Sequence, residues 1–209
     1  MDLGQPRYAA LVLAAGAGSR YSDAPGAKLL ATVEGEPMLG RVLGAVRAYR
    51  PAVTIVVLGH GAGDIERTLA WHDEIRVRNH EPDRGLASSL QVGIDALRAL
   101  PEPLDGVFIV LGDQPWLRVE TMQALEAAAL TAGDHLAVVP RYERGRARNP
   151  VLLLRAAWSW VDRLEGDRGL GPLLEAEPER VLAVRVEGEM PDVDTPADLS
   201  GPDRRDGRP

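Results

Sequence analysis

The stretch Leu11-Val12-Leu13-Ala14-Ala15-Gly16-Ala17-Gly18-Ser19-Arg20, running on to Lys28, decides the fold. The apolar run from Tyr8 to Ala14, stopped by glycines, predicts a buried strand. The loop behind it, Ala15 to Ala27, holds three glycines and a proline. It is longer than a simple turn into a helix, and long loops in compact domains are usually functional. Lys28 is the only lysine in the chain; every other strongly basic side chain is arginine. A compact ammonium is a point charge suited to phosphate in a way that a planar guanidinium is not. The alternative is one lysine left by chance in an arginine-biased sequence.

Outward from this stretch, strands alternate with helices. The turn Glu34-Gly35-Glu36-Pro37 precedes helical spacing at Met38, Leu39, Val42, Leu43 and Val46, with Pro37 suited to the first turn. Val53 to Leu58 predicts the second strand, Asp64 to Trp71 a short helix and Ile75 to Val77 a third strand. The next helix has Leu90, Ile94 and Leu97 on its apolar face, is capped by Ser88 or Ser89, and ends before Pro101 and Pro103. Val107 to Leu111 reads as the clearest buried strand and Val119 to Leu130 as a helix. Leu136–Val139 and Val151–Leu154 read as strands joined by an arginine-rich turn, Ala156–Leu164 as a helix, Gly169–Glu175 as a short helix and Val181–Val186 as the last strand. The pattern predicts a single α/β domain over residues 1–199, a Rossmann-like three-layer sandwich with a mostly parallel sheet. Residues 200–209, rich in Pro, Gly and charge, read as a disordered tail.

Composition bounds the function. The hydrophobic fraction of 45% and charged fraction of 26% are those of a soluble globular chain, and a single Phe leaves the core to Leu, Val, Ala and Ile. The net charge of −7 argues against a general nucleic-acid or membrane-surface binder. The absence of cysteine removes disulfides, thiol catalysis and Cys-ligated zinc. No signal peptide fits Met1 to Arg7, and no run reaches the ~18 apolar residues of a membrane span, so the expected location is cytoplasmic.

In open α/β sheets, ligands bind outside the carboxyl ends of the strands. The glycine loop, the loop after Leu111 and the turn Asp192-Val193-Asp194 are expected to meet there. The glycine loop fails two familiar patterns. Tyr21 stands where a dinucleotide fingerprint needs its third glycine, and Ala27-Lys28-Leu29 lacks the Gly-Lys-Ser/Thr of a P-loop. What is left is a backbone-rich anion nest with Arg20 and Lys28 beside it, or a plain surface loop. In Leu111-Gly112-Asp113-Gln114-Pro115, Asp113 sits where a carboxylate can hold Mg²⁺, which takes few protein ligands and bridges to phosphates; capping the next turn is the other reading. Asp194, before Thr195-Pro196, is either a second metal ligand or part of a helix start. Gly85-Leu86-Ala87-Ser88-Ser89-Leu90 offers free N–H groups and hydroxyls to a nucleotide, although a plain cap needs no ligand. The four histidines show no zinc spacing, and there is no nucleophile elbow. The run Arg141, Arg144, Arg146, Arg148 is either a solvated hairpin or a cover for an anionic substrate.

As an ordered set these motifs resemble the nucleotidyltransferases of the molybdenum cofactor family, most closely its cytidylyltransferase branch. The resemblance runs from residue 8 to 199 through Leu13-Ala14-Ala15-Gly16-x-Gly18-x-Arg20, Lys28-Leu29-Leu30, Gly85-Leu86-Ala87-Ser88-Ser89-Leu90, Leu111-Gly112-Asp113-Gln114-Pro115, Asn149-Pro150-Val151, Gly166-Asp167-Arg168-Gly169 and Asp192-Val193-Asp194-Thr195-Pro196. It implies the fold of nucleotide-diphospho-sugar transferases and transfer of CMP from CTP to molybdenum-loaded molybdopterin, with release of pyrophosphate. It implies that Ala14, Ala15, Gly16, Gly18 and Ser19 cradle the nucleotide and that Ser88 and Ser89 lie near base or ribose. Arg20 and Lys28 would offset phosphate charge, and Asp113 and Asp194 would hold Mg²⁺. A molybdenum hydroxylase or its maturation chaperone is the implied protein partner. The alternatives are GTP with the same pterin, a sugar-phosphate acceptor, or a non-catalytic cofactor carrier. The sequence departs from the family at Ser22, at Arg148 before Asn149, and at Leu170-Gly171, where a basic residue is usual and Arg168 stands nearby. These departures fall mostly at the acceptor end.

Overall fold

The structure, a computed structural model, describes residues 6–18, 21, 24, 26–144, 147–191, 193, 195 and 198–199. The first strand, β1 (Tyr8–Ala14), is buried at every position. This follows from its place in the sheet, where two parallel neighbours, β4 (Val53–Leu58) and β6 (Gly106–Leu111), flank it. Between β1 and β4 come a short helix α1 (Ala27–Leu30), a small hairpin of β2 (Thr32–Val33) and β3 (Glu36–Pro37), and the long helix α2 (Met38–Tyr49). The hairpin turns through Glu34 and Gly35, both at positive φ, which suits a two-residue turn that follows the strand twist. Helix α3 (Ala62–Thr68) and strand β5 (Ile75–Arg78) follow, then α4 (Leu86–Arg98). After β6 the chain forms α5 (Val119–Ala129), β7 (Ala137–Tyr142), β8 (Val151–Leu154), a 3₁₀ helix over Arg155–Arg163, α6 (Gly171–Ala176) and β9 (Val181–Val186).

The sheet order is β5-β4-β1-β6-β8-β7-β9. Alternation along the strands sends side chains to opposite faces. Ala10, Val12 and Ala14 meet Leu39, Val42 and Leu43 of α2 and Met122 and Leu125 of α5. Ala9, Leu11 and Leu13 meet Leu90, Ile94 and Leu97 of α4 and Trp158, Trp160 and Val161 of the 3₁₀ helix. Two apolar cores on either side of one sheet make the expected three layers. Among the described residues, no helix is long and apolar enough to cross a membrane.

The structure sharpens two local expectations and corrects a third. Strand β8 runs antiparallel to both β6 and β7. The connection 143–150 is too short for the dozen or more residues of a parallel crossover, so the chain can only fold back. The helix expected over Ala156–Leu164 is a 3₁₀ helix over Arg155–Arg163. Its buried pairs Ala157/Trp160 and Trp158/Val161 are spaced i,i+3, the period that a 3₁₀ helix eclipses. The correction is at α4: it starts at Leu86 behind Gly85, and neither Ser88 nor Ser89 caps it. Both serines lie inside the first turns, and Ser88 Oγ donates back to Gly85 O at 2.8 Å. The predicted tail at 200–209 lies outside the described residues, as do Asp192 and Asp194.

Candidate active site at the strand ends

Strands β1, β4 and β6 end level, with Ala14 in register with Leu58 and Leu13 with Leu111. The chain leaves all three at one rim. Gly112 N donates to Leu13 O at 2.9 Å and His60 N to Ala15 O at 3.2 Å, which ties the three exits together. A cavity of about 440 Å³ opens there. The loop Ala14, Ala15, Gly16 and Gly18 walls it on one side, Gly85, Leu86 and Ser89 on another, and Lys28 and Asp113 lie in it together.

Lys28 sits in α1 and is buried. Its Nζ donates to Asp113 Oδ2 at 2.7 Å, across 85 positions of sequence. The lysine side chain is 10% accessible and the aspartate 31%, so the carboxylate is the more open partner. Gly18, at φ 64°, packs its backbone against the lysine; a Cβ there would lie 2.9 Å from Lys28 Cβ. The ammonium is thus held beside the glycine loop by shape and beside Asp113 by charge.

The start of α4 is fixed from outside the helix. Gly85 has φ 88° and ψ −175°, a region that essentially only glycine occupies. A Cβ at Gly85 would lie 2.5 Å from Gly166 O and 2.6 Å from Asp167 N. Ala87 N donates to Gly166 O at 3.0 Å, so the two loops lie backbone against backbone. Asn79, which the sequence reading overlooks, holds the same helix from below. Its Nδ2 donates to Ser88 Oγ at 2.8 Å and to Ser89 Oγ at 3.0 Å. Ser89 faces the cavity, whereas the Ser88 hydroxyl is taken up by Asn79 and the Gly85 carbonyl and is absent from the wall. His60 and Asp83 also reach the wall, paired at 2.9 Å between His60 Nε2 and Asp83 Oδ1. A signal for Asn79 exists in the sequence: a polar residue directly after a strand, before a proline-containing turn, is well placed to anchor that turn.

Of the other expected site residues, Ser19, Arg20 and Asp194 lie outside the described residues. Among the described residues, no group of three or more His, Asp or Glu converges as a metal cage. Asp113 by itself suits a cation that keeps its waters and takes the rest of its ligands from substrate phosphates. Beside the main cavity, and sharing Leu13, Leu86 and Leu111 with it, is a second one of about 160 Å³. Leu90, Ile109, Leu170 and Leu174 make it apolar, and Arg148 and Asn149 add polar groups to its wall. Arg148 also approaches Glu175, with Nη2 3.5 Å from Oε1.

Comparison with known proteins identifies the family and the fold. A model of the MobA-like NTP transferase domain matches residues 10–181. The structure superposes on Rv0371c of Mycobacterium tuberculosis H37Rv with a TM-score of 0.81 and 28% identity, covering 94% of this chain and 96% of that one. A complex of that protein with manganese superposes with a TM-score of 0.76 and 26% identity, covering 92% and 95%. A nucleotidyl transferase from Methanothermobacter thermautotroptrophicus (Mth528) gives a TM-score of 0.72 and 25% identity over 92% of this chain and 94% of that one. These likenesses place the sandwich in the nucleotide-diphospho-sugar transferase fold. In sequence, the chain is 37% identical over 123 residues to the bifunctional protein GlmU of Desulfitobacterium hafniense, covering 57% of this chain and 25% of that one. The chain thus spans about a quarter of the length of the curated relatives it matches.

Proposed function

The chain belongs to the MobA-like NTP transferase domain family, and from that premise we propose that it is a divalent-cation-dependent nucleotidyltransferase that moves CMP from CTP to molybdenum-loaded molybdopterin. The observation that carries the reading is the Lys28–Asp113 pair, 2.7 Å apart, in a cavity bounded by the glycine loop. One group suits a triphosphate and the other suits the cation that accompanies it. The terminal phosphate oxygen of the pterin would attack the α-phosphorus of CTP. A new phosphoanhydride bond forms, the bond between α- and β-phosphates breaks, and pyrophosphate leaves. The attacking oxygen is already anionic, so no general base is required, and catalysis is alignment and charge neutralisation.

The N–H groups of the loop from Ala14 to Ser19 would cradle the phosphates, with Arg20 and Lys28 offsetting their charge. Asp113, with Asp194 as second ligand, would hold Mg²⁺, which when bound neutralises charge developing around the α-phosphate. The manganese complex of Rv0371c supports a divalent cation in the family. The neighbouring apolar cavity, with Arg148 and Asn149 on its wall, suits a flat heterocycle with an anionic arm. The ordered motifs that resemble the cytidylyltransferase branch favour CTP and the pterin. The product would pass to a molybdenum hydroxylase or its chaperone. A second reading, a sugar-phosphate acceptor, is favoured by the 37% identity to GlmU over 123 residues.

The test is pyrophosphate release by purified protein with Mg²⁺, each of the four nucleotides in turn, and either molybdenum-loaded molybdopterin or a panel of sugar phosphates. Release with CTP only when the pterin is present is expected. Release only with a sugar phosphate would replace the acceptor. No release under any combination would remove the enzymatic reading.

A further inference from the structure

Asn79 makes three side-chain hydrogen bonds in a buried position and uses both of its amide protons. Its Oδ1 accepts from Glu81 N at 2.9 Å, which fixes which end of the amide is oxygen. Its Nδ2 therefore points both protons at the hydroxyls of Ser88 and Ser89. Its backbone N donates to Leu58 O at 2.8 Å, so the amide hangs from the sheet edge beside the cavity. The two hydroxyls it meets differ. Ser88 passes its own proton to Gly85 O at 2.8 Å and is satisfied. Ser89 is 4% exposed and lines the main cavity, and among the described residues nothing accepts its proton. A hydroxyl that already accepts a hydrogen bond from within has its own proton left for whatever enters the cavity.

We propose that Asn79 is a positioning residue that fixes the polarity of Ser89, making its hydroxyl a hydrogen-bond donor to an acceptor oxygen on the nucleoside part of the bound nucleotide. The inference rests on the nucleotidyltransferase reading and adds to it a residue and a direction of hydrogen bonding. An aspartate at position 79 has the same shape but no N–H, so both serine protons would turn toward it and away from the cavity. The two variants Ser89→Ala and Asn79→Asp should therefore remove the same bond by different routes.

The experiment is equilibrium binding of CTP with Mg²⁺ by calorimetry, without acceptor so that no turnover occurs, alongside binding of inorganic triphosphate. Ser89→Ala and Asn79→Asp are each expected to weaken CTP about tenfold. The double variant is expected to bind CTP no more weakly than Ser89→Ala alone, because the two changes act on one bond. Binding of inorganic triphosphate, which has no nucleoside, is expected to be unchanged. Repeating the measurement with 2′-deoxy- and 3′-deoxy-CTP locates the acceptor. If the Ser89→Ala effect disappears with one of them, the acceptor is that ribose oxygen; if it persists with both, the acceptor is on the base. Equal weakening of CTP and triphosphate would mean general damage to the site and would overturn the proposal, as would additive losses in the double variant. Wild-type protein that binds no nucleoside triphosphate defeats the enzymatic reading itself. Wild-type protein that binds CTP, with variants that bind it equally well, defeats only the role of Asn79 and Ser89.

Discussion

Gly85→Ala is the substitution whose consequence the structure fixes most closely. Two effects act at once. The residue has φ 88° and ψ −175°, and holding an alanine there costs about 1–3 kcal/mol. The new Cβ would also lie 2.5 Å from Gly166 O and 2.6 Å from Asp167 N. These are backbone atoms, so relief requires the 166–167 loop to move away, which breaks the 3.0 Å bond from Ala87 N to Gly166 O at a further cost of about 1 kcal/mol. The sum is about 3 kcal/mol. Gly166→Ala is the matched control. It too has positive φ, 63°, but its Cβ would meet nothing within 4 Å, so only a conformational cost of about 1 kcal/mol applies. For a domain of this size each kcal/mol lowers Tm by roughly 2–4 °C. Gly85→Ala is therefore expected to melt about 4–8 °C below Gly166→Ala by differential scanning calorimetry. It should also lose more CTP affinity, because the displaced helix start carries Ser89. Equal melting temperatures for the two variants would refute the close-contact argument and leave backbone conformation as the whole effect.

Lys28→Arg keeps the charge but not the shape. With Gly18 packed against the lysine stem and the side chain 10% accessible, a guanidinium has no room to lie as the ammonium does, and turnover in the pyrophosphate assay is expected to fall about 100-fold. Unchanged turnover would return the lone lysine to chance. Asp113→Asn is expected to lower turnover by about 100-fold or more and to flatten its dependence on metal concentration; an unaltered metal titration would remove Asp113 from the cation site. A third expectation concerns acid stability. Burial raises the Glu74 carboxyl, but hydrogen bonds from Arg47 (2.6 Å) and His72 N (2.8 Å) outweigh it and hold the group below its ordinary value. A depressed folded-state pKa gives stability that is full above the unfolded value of about 4.3 and is lost as pH falls through the folded one. Glu74→Gln should therefore lie about 2 kcal/mol below wild type at pH 7, and in urea titrations the gap should close below roughly pH 4. A gap that stays constant with pH would assign the loss to packing.

Some of this could be read directly from the residues. The runs Tyr8–Ala14, Val53–Leu58, Val151–Leu154 and Val181–Val186 are strands with those bounds, because each is mostly apolar or β-branched and a glycine or a charged residue follows within two positions of its end. Lys28 and Asp113 lie far apart in sequence, yet their meeting was foreseeable, since each follows a strand that the pattern places in one parallel sheet. The start of α4 was not. Ser88 and Ser89 have the residue types of a cap, but Gly85 takes that place, and what holds it there is backbone from the Gly166–Asp167 loop. No local propensity reports a contact that distant. For Asn79 the sequence signals only an anchor for the turn that follows; its hold on Ser89 exists only once Leu58, Glu81 and Ser89 surround it. The antiparallel turn of β8 was present in the short 143–150 connection, but its insertion between β6 and β7 was not.

The topology also accounts for where the sequence keeps to the family's motifs and where it departs. The parallel block β5-β4-β1-β6 carries the nucleotide side: α1 with Lys28 follows β1, Asn79 follows β5, Ser89 lies on the helix after it, and Asp113 follows β6. Each pair is held by its own bonds, Lys28 to Asp113 by the 2.7 Å ion pair and Asn79 to Ser89 by the 3.0 Å hydrogen bond, while the strand exits are tied by backbone bonds. The remaining strands, β8, β7 and β9, are joined to that block through the β6–β8 pairing. Of the departures from the family, Ser22 lies outside the described residues, and Arg148 and Leu170-Gly171 cluster there around the apolar cavity, where Arg148, Leu170 and Gly171 share a wall with Leu174. Side chains on that wall can vary in size and charge without moving Lys28 or Asp113, since among the described residues the two cavities share only Leu13, Leu86 and Leu111. Acceptor choice is therefore expected to follow substitutions at Arg148, Leu170 and Leu174, and nucleotide choice to be indifferent to them. A change at Arg148 that altered the preference among nucleotides in the four-nucleotide assay would show that the two cavities act as one.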